Sequence, residues 1–286
     1  MRVCRFDDDR LGIVDGDAVI DVSTALETIP ARRWPHPPGD ALIANWALVR
    51  PEIERLVATG SRRPVNCVAL KSPIANPTKI IGIAKNRKNL AQEAADPGVA
   101  FGTGGRRDDD PIQMFIKAPS ALAGPSDGVA LRFTGRRNDP EAELTVVIGK
   151  TGSFIEREQA LDHVFGYCIG LDMTLRGPEF PSVRKSIDSY ALLGPWIVTR
   201  DELADPDNVA TSLSINGEAV QTANTRDLAF DIRTIIAHAS TYFTLHPGDA
   251  IMVGTPAGFA PVKPGDAMVA QFSSIGRMEV RVRAYV

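Results

Sequence analysis

The chain has 286 residues, 44% of them hydrophobic and 23% charged, a composition typical of a globular protein with one large domain or a large and a small one. The net charge of −3 gives no basic footprint for nucleic acid, and no apolar run reaches the 18 residues of a membrane span. The first residues turn acidic where a signal peptide turns apolar, and three widely spaced cysteines suggest free thiols. We therefore expect a cytoplasmic protein without nucleic-acid or membrane partners.

Residues 1–75 are predicted to form a small N-terminal α/β domain. Three short strands are expected between Asp-rich turns: Val3–Phe6, Gly12–Val14 and Ala18–Ile20. Apolar residues then recur at helical spacing from Asp40 to about Thr59, which predicts a helix. The segment Lys71–Pro77 carries two prolines and is interpreted as a linker.

Residues 76–286 are predicted to form the main domain, which is built mostly from strands. The expected strands are Lys79–Ala84, Met114–Lys117, Val129–Phe133, Glu143–Ile148, Gly166–Asp172, Trp196–Val198, Ser212–Ile215, Ala250–Val253, Met268–Phe272 and Met278–Val282. Two helices are expected, over Arg157–Val164 and Leu228–Phe243. The pattern predicts a mixed α/β, β-rich fold, because strands and helices do not alternate as in a Rossmann sheet.

Glu141 and Glu143 interrupt a stretch that otherwise has the pattern of a buried strand. Strand side chains alternate between faces, so these two carboxylates point the same way and repel each other unless something neutralises them. A divalent cation would do so, and Asp172 at the end of another apolar stretch could complete an all-oxygen site for Mg²⁺, Mn²⁺ or Ca²⁺. The alternative is an edge strand with solvated glutamates. The apolar run Leu144–Gly149 favours the metal, because such a strand is more often central.

Cationic side chains follow Asp172 in the sequence. Arg176, Arg184 and Lys185 could help a metal to hold an anionic substrate such as a carboxylate or an enolate. For Arg184 we favour the alternative interpretation, a solvated loop. The Gly-rich segment 101–110 lacks the lysine of a phosphate loop and is interpreted as a flexible surface lid, within a longer stretch over residues 87–110.

Several segments, taken in order, resemble the fumarylacetoacetate hydrolase family. They are Lys79–Glu93, Phe115–Ser120, Glu141–Lys150, Gly166–Arg176, Lys185–Thr199, the Ile215-Asn216-Gly217-Glu218 block with Gln221 and Asn224-Thr225, and Leu245–Gly258. The resemblance spans Lys79 to Val286. It implies a catalytic domain built as a mixed β-sandwich roll beside a smaller N-terminal domain, assembled as a homodimer.

The resemblance also implies a site and a chemistry. Mg²⁺ or Mn²⁺ would bind Glu141, Glu143 and Asp172, and the substrate would be a small anionic oxo-acid. By position, Lys185, Gln221 and Thr255 match residues that orient the substrate, and Arg176 lies beside them in the same motif. Arg176 and Lys185 would hold a carboxylate. Lys185 and Glu93 are the catalytic candidates.

The chain departs from the family motif at residues 86–93. The family has Asn-Tyr-x-x-His-x-x-Glu, whose His and Glu activate water, whereas this chain keeps Asn86 and Glu93 but has Arg87 and Leu90 in place of Tyr and His. The chain thus resembles a divergent, bacterial-type member that lacks the usual catalytic histidine, the general base. Glu93 could transfer the proton, as could Lys85 or Lys88 with a lowered pKa.

Three hypotheses follow. The first is a metal-dependent enzyme that cleaves a carbon–carbon bond in a 2,4-dioxo acid through a metal-stabilised enolate. The second keeps the metal site but carries out decarboxylation or keto–enol or double-bond isomerisation, which demands less of a water-activating base. The third is a metal-binding homologue without catalytic activity, which the loss of the histidine favours and the retention of Lys185 and the three carboxylates opposes.

Overall fold

The structure, a computed structural model, describes residues 1–88, 112–255 and 258–286. Its strands are β1 (Arg2–Phe6), β2 (Arg10–Asp15), β3 (Ala18–Asp21), β4 (Arg62–Pro64), β5 (Leu70–Lys71), β6 (Ile80–Ala84), β7 (Gln113–Lys117), β8 (Leu122–Ala123), β9 (Val129–Leu131), β10 (Asn138–Asp139), β11 (Ala142–Ile148), β12 (Val164–Asp172), β13 (Thr174–Leu175), β14 (Ala191–Thr199), β15 (Ala210–Ile215), β16 (Glu218–Asn224), β17 (Ala250–Met252), β18 (Ala267–Phe272) and β19 (Gly276–Ala284). The helices are α1 (Ala41–Ala44), α2 (Trp46–Val57), α3 (Pro181–Arg184) and α4 (Ile232–Tyr242).

The larger sheet forms the centre of the molecule. Its main path runs β4-β3-β2-β1-β14-β12-β11-β17-β6-β7, with β5 and β8 paired at its side. Every residue of β11, β12 and β14 is buried. A strand that is covered on both faces has a nearly continuous apolar sequence, as these three do. The site residues on β11 and β12 are therefore held by the least exposed part of the fold.

A second sheet of five strands runs β16-β15-β18-β19-β9. Its inward-facing side chains join those of the larger sheet in one core cluster, in which Leu144 and Ile169 of the first sheet accompany Leu213 and Phe272 of the second. Contacts between β11 and β15 and between β12 and β18 link the two sheets. The predicted β-rich, mixed α/β fold class is confirmed.

The helices differ from the predicted ones at their boundaries. The helix expected from Asp40 to Thr59 is divided at Asn45 into α1 and α2. The helix expected from Leu228 begins at Ile232, because the Asp231 side chain accepts a hydrogen bond from the backbone N–H of Thr234 and so caps the first turn. The segment Arg157–His163 is a 3₁₀ rather than an α-helix. None of the helices in the described parts of the chain is long and apolar enough to span a membrane.

Each predicted strand overlaps an observed one, although β14 is much longer than the predicted Trp196–Val198. The sequence did not reveal the short strands β4, β5, β8, β10 and β13 or the longer strand β16. In β16 only Gln221 is buried, so the strand lacks the alternation of a half-buried strand. In the N-terminal region, β1 pairs with β14 and extends the larger sheet. This pairing joins strands from the two sides of the predicted boundary at residue 75. The division into domains 1–75 and 76–286 stays a prediction. Most of the predicted lid over residues 87–110, and with it Glu93 and Leu90, lies outside the described residues.

The three thiols differ in their surroundings. Cys4 and Cys168 are buried, and burial raises the pKa of each thiol to about 12, whereas Cys67 is exposed. Because the thiolate is the reactive form, we expect one thiol per chain to react quickly with an aromatic disulfide reagent at pH 8, and three after unfolding. Cys67→Ser should abolish the fast phase. A fast phase of two or three thiols in the native protein would contradict the described packing.

Candidate metal centre and active site

Three carboxylates lie together at one end of the central strands. Glu141 directly precedes β11, Glu143 lies within it, and Asp172 ends β12. Antiparallel pairing places Glu143 opposite Gly170, and the backbone N–H of Asp172 donates to the carbonyl of Glu141 at 2.8 Å. One oxygen from each side chain lies within 4.8 Å of the others. The structure thus brings together the three carboxylates that the sequence singled out.

The edge-strand alternative is wrong. The strand β11 has neighbours on both sides, β12 and β17, so it is central. The residues Glu141, Glu143 and Asp172 are 6%, 2% and 1% exposed. Solvent therefore does not neutralise these charges, and the protein or a bound cation must do so.

The Glu143 carboxylate is the least compensated of the three. Burial raises its pKa well above the usual value, and the negative charges of Asp172 and Glu141 raise it further. Its hydrogen-bond donor among the described residues is the backbone N–H of Gly254, at 2.7 Å from Oε2. A cation at this position would relieve the repulsion.

Lys185 bridges the other two carboxylates. Its Nζ donates to Glu141 Oε2 at 2.8 Å, to Asp172 Oδ2 at 2.6 Å and to the Thr174 hydroxyl at 2.6 Å. Burial opposes its charge, but the two carboxylates outweigh burial and raise the pKa of Lys185. Lys185 is therefore an ammonium that holds the cluster together. This placement is compatible with the predicted catalytic role, because the ammonium also lines the cavity described below.

Lys117 is a further buried ammonium that the sequence did not single out. It is fully buried at the end of β7 and donates to Asp172 Oδ1. Burial would raise the pKa of Asp172, but Lys117 and Lys185 together hold it below the usual value. Burial lowers the pKa of Lys117 itself. The sequence around Lys117 does not indicate that its ammonium contacts Asp172, because the two residues are 55 positions apart.

The guanidinium of Arg176 forms hydrogen bonds with two carboxylates of the protein. Its Nε donates to Asp139 Oδ2 at 2.7 Å and its Nη2 to Glu141 Oε1 at 2.9 Å. Asp139, on β10 and also missed in the sequence, is in turn bonded by Arg137. These contacts fix the orientation of Glu141, so the geometry supports a positioning role for Arg176.

Gln221 and Thr255 lie next to each other. The Gln221 carbonyl accepts from the backbone N–H of Ala142 at 3.0 Å, and its amide donates to the Thr255 hydroxyl at 3.2 Å and to the Gly258 carbonyl at 2.8 Å. Gln221 is buried, whereas Thr255 is half-buried and lines the cavity. Of the two predicted substrate-orienting residues, Thr255 has access to the cavity and Gln221 holds it in place.

The alternative proton-transfer lysines differ in position. Lys85 lines the cavity and is exposed, whereas Lys88 donates to the carbonyl of Arg226 at 2.7 Å on the outside. Between them, Asn86 is buried and ties this segment to the Val253 carbonyl at 2.7 Å. Lys85 is thus better placed than Lys88 for contact with a substrate.

A cavity of about 440 Å³ opens over the carboxylate cluster. Its walls combine aromatic side chains, such as Phe115 and Phe259, with cationic ones. The solvated-loop interpretation of Arg184 is wrong: the residue is 5% exposed and lines this cavity. Arg87, which replaces the family tyrosine, also lines it and stacks near the Phe259 ring, with 5.4 Å from Cζ to the ring centroid. The cavity has the size, mixed polarity and position of a small-molecule site.

The donor set fits a divalent cation. All three ligands are carboxylates, which hard ions such as Mg²⁺ and Mn²⁺ prefer, and the group contains neither the imidazole nor the thiolate that zinc favours. Excess negative charge at Glu143 supplies the electrostatic reason for binding. Glu141, Glu143 and Asp172 are therefore the residues that could hold the metal.

Comparison with known proteins agrees with this geometry. Residues 79–283 match the family described as fumarylacetoacetate (FAA) hydrolase, C-terminal. The chain belongs to the fumarylacetoacetate hydrolase family. A maleylpyruvate hydrolase of Aquipseudomonas alcaligenes is 47% identical over 289 residues, which cover 99% of this chain and 100% of the relative. A mitochondrial oxaloacetate tautomerase of Xenopus laevis is 35% identical over 222 residues, 73% of this chain and 66% of the relative.

A solved structure extends the similarity to the fold. The crystal structure of maleylpyruvate hydrolase from Sphingobium sp. SYK-6, in complex with manganese(II) ion and pyruvate, superposes with a TM-score of 0.85 at 38% identity, over 100% of both chains. The predicted fold of the fumarylacetoacetate hydrolase type is thereby confirmed for the chain as a whole. That relative binds a divalent metal. The cluster of Glu141, Glu143 and Asp172 could hold such an ion in the present chain.

Replacing Glu143 by glutamine removes one candidate ligand and keeps the shape of the side chain. We expect Glu143→Gln to weaken Mn²⁺ binding by at least about tenfold in calorimetric titration. At Mn²⁺ concentrations of about 100 times Kd, the wild type should gain about 2.7 kcal/mol of stability, and the variant much less. Without metal, the variant should melt at the same or a higher temperature, because the like-charge repulsion is removed.

The matched control is Glu279→Gln, whose carboxylate is 36% exposed and paired with Arg277. It should bind Mn²⁺ as the wild type does. Unchanged Mn²⁺ affinity in Glu143→Gln would show that the ion binds elsewhere.

Proposed function

We propose that the protein is a divalent-metal-dependent hydrolase of acylpyruvates, with Mg²⁺ or Mn²⁺ bound by Glu141, Glu143 and Asp172. The observation that carries the proposal is the buried three-carboxylate cluster beneath a cavity with a cationic wall. The 47% identity to a maleylpyruvate hydrolase over nearly the whole chain supports it. The substrate class is a 2,4-dioxo acid, in which an acyl group is joined to C3 of pyruvate.

The reaction adds water to the C4 carbonyl and breaks the C3–C4 bond. The acyl part leaves as a carboxylate, and C3 takes a proton to give pyruvate. A bound divalent cation would polarise the dioxo-acid carbonyl and stabilise the negative charge that the leaving pyruvate carries. The oxygen and hydrogens of the water are thus all accounted for in the two products and one released proton.

The chain's own residues would prepare this step. Lys185 fixes Glu141 and Asp172 in one arrangement and keeps a positive charge beside the substrate carboxylate, and Arg176 orients Glu141. Thr255, held by Gln221, would orient the substrate. Glu93 is the proposed proton-transfer residue, on the basis of its place in the family motif, because Leu90 replaces the usual histidine.

The second candidate function is tautomerisation or decarboxylation of an oxaloacetate-like acid on the same site. Two observations favour it: Leu90 in place of the histidine, and the oxaloacetate tautomerase among the relatives. An enolate can form without activation of water, so this chemistry needs less of a general base. Retention of the cations around the carboxylates argues against a metal-binding protein without activity.

A panel of three substrates separates these functions. We expect acetylpyruvate and maleylpyruvate to be cleaved to pyruvate plus acetate or maleate, and chelation of the metal to reduce the rate on the order of 100-fold. Pyruvate formation is followed with lactate dehydrogenase, and the enol of oxaloacetate by its ultraviolet absorbance. Turnover of oxaloacetate but of neither acylpyruvate would contradict hydrolysis and favour the second function. No turnover of any of the three would favour a metal-binding protein without catalytic activity.

We propose a homodimer as well, following the family resemblance. Phe180 and Phe154 are 74% and 73% exposed and are candidates for burial at such an interface. Light scattering coupled to size exclusion should give about twice the 30.8 kDa chain mass. A mass of a single chain at micromolar concentration would contradict it.

A further inference from the structure

Arg184 is a buried cation that forms no ion pair with the described residues. Its Nε and Nη1 atoms have no solvent contact and no hydrogen-bond acceptor, and the side chain forms no ion pair with the residues that the structure describes. The residue ends α3, where its backbone N–H donates to the Phe180 carbonyl at 3.1 Å. This short helix packs against β7 and places the guanidinium in the wall of the cavity.

Three other buried cations of the site are paired. Lys117, Lys185 and Arg176 each contact one or two of the buried carboxylates. Glu179, which lies near Arg184, is instead bonded by both terminal nitrogens of Arg136, at 2.7 and 2.8 Å. An unpaired buried guanidinium is costly, so its retention in a cavity wall indicates an anionic ligand.

The formal charges of the site favour a ligand with more than one negative charge. The buried acids Asp139, Glu141, Glu143 and Asp172 are matched by the buried cations Lys117, Arg176, Arg184 and Lys185. Arg87 and Lys85 add positive charge to the cavity wall. A divalent cation on the carboxylates would add two more positive charges, which a second carboxylate on the substrate would help to offset.

We propose that Arg184 binds the second carboxylate, at the acyl end, of a dicarboxylic acylpyruvate and so makes the enzyme prefer dianionic substrates. The inference rests on the proposed hydrolase function and adds a specificity-determining residue to it. The keto-acid end belongs at the carboxylate cluster with Lys185, whereas Arg184 makes no hydrogen bond to that cluster. The planar guanidinium matches a carboxylate in shape and charge.

The test compares maleylpyruvate, which has two carboxylates, with acetylpyruvate, which has one. We expect Arg184→Met to lower kcat/KM for maleylpyruvate on the order of 100-fold, mainly through KM, and to change that for acetylpyruvate by less than about threefold. Inhibition of acetylpyruvate cleavage by maleate should weaken in parallel. Arg184→Lys should recover part of the preference, because it keeps the charge without the planar fork.

Arg55→Met, at an arginine that is 65% exposed and paired with Glu52, is the matched control and should keep the wild-type ratio of the two substrates. Equal losses for both substrates would overturn the proposal and assign Arg184 to the keto-acid end. Unchanged kcat/KM for both substrates would also overturn it. Failure of the proposed function is distinct, because the wild type would then cleave neither substrate. If Arg184→Met does not fold, the ratio in Arg184→Lys decides.

Discussion

The structure depends on one electrostatic constraint, which is that three buried carboxylates share a space where one oxygen of each lies within 4.8 Å of the others. Two ammonium groups, from Lys185 and Lys117, compensate Asp172, and Lys185 also compensates Glu141. Glu143 forms no ion pair with the described residues, and burial and the other two carboxylates raise its pKa. The protein thus supplies enough positive charge to fold around the cluster and leaves enough negative charge to attract a cation.

Rigid strands carry the ligands, while the shorter segments around them carry the groups that face the cavity. Glu143 and Asp172 belong to fully buried strands that pair in unbroken register near the site, so their separation is set by strand register. Arg184 belongs to a helix of four residues, and Thr255 to a loop. The metal position is therefore less free to vary than the surroundings of the substrate, as expected for one fold that hosts several reactions.

The sequence predicted those parts of the site that depend on local pattern. The period of two in a strand sufficed to place Glu141 and Glu143 on one face, and the apolar run correctly indicated a central strand. The burial of Arg184 and Lys117 could not be predicted in this way. It depends on the packing of α3 against β7 and on the contact between the side chains of Lys117, at the end of β7, and Asp172. The same holds for β16, whose polar sequence pairs with β15 only in the folded protein.

One side chain joins the two sheets at the site. Gln221, on β16 of the smaller sheet, holds the start of β11 with its oxygen and the segment from Thr255 to Gly258 with its nitrogen. A glutamate here would lose both donated bonds, and an asparagine would be too short by one methylene to keep all three. The position of Thr255 in the cavity wall thus depends on the distance between the two sheets, because the Gln221 amide bonds both. A change in sheet packing far from the carboxylates would therefore shift Thr255 and alter the width of the cavity.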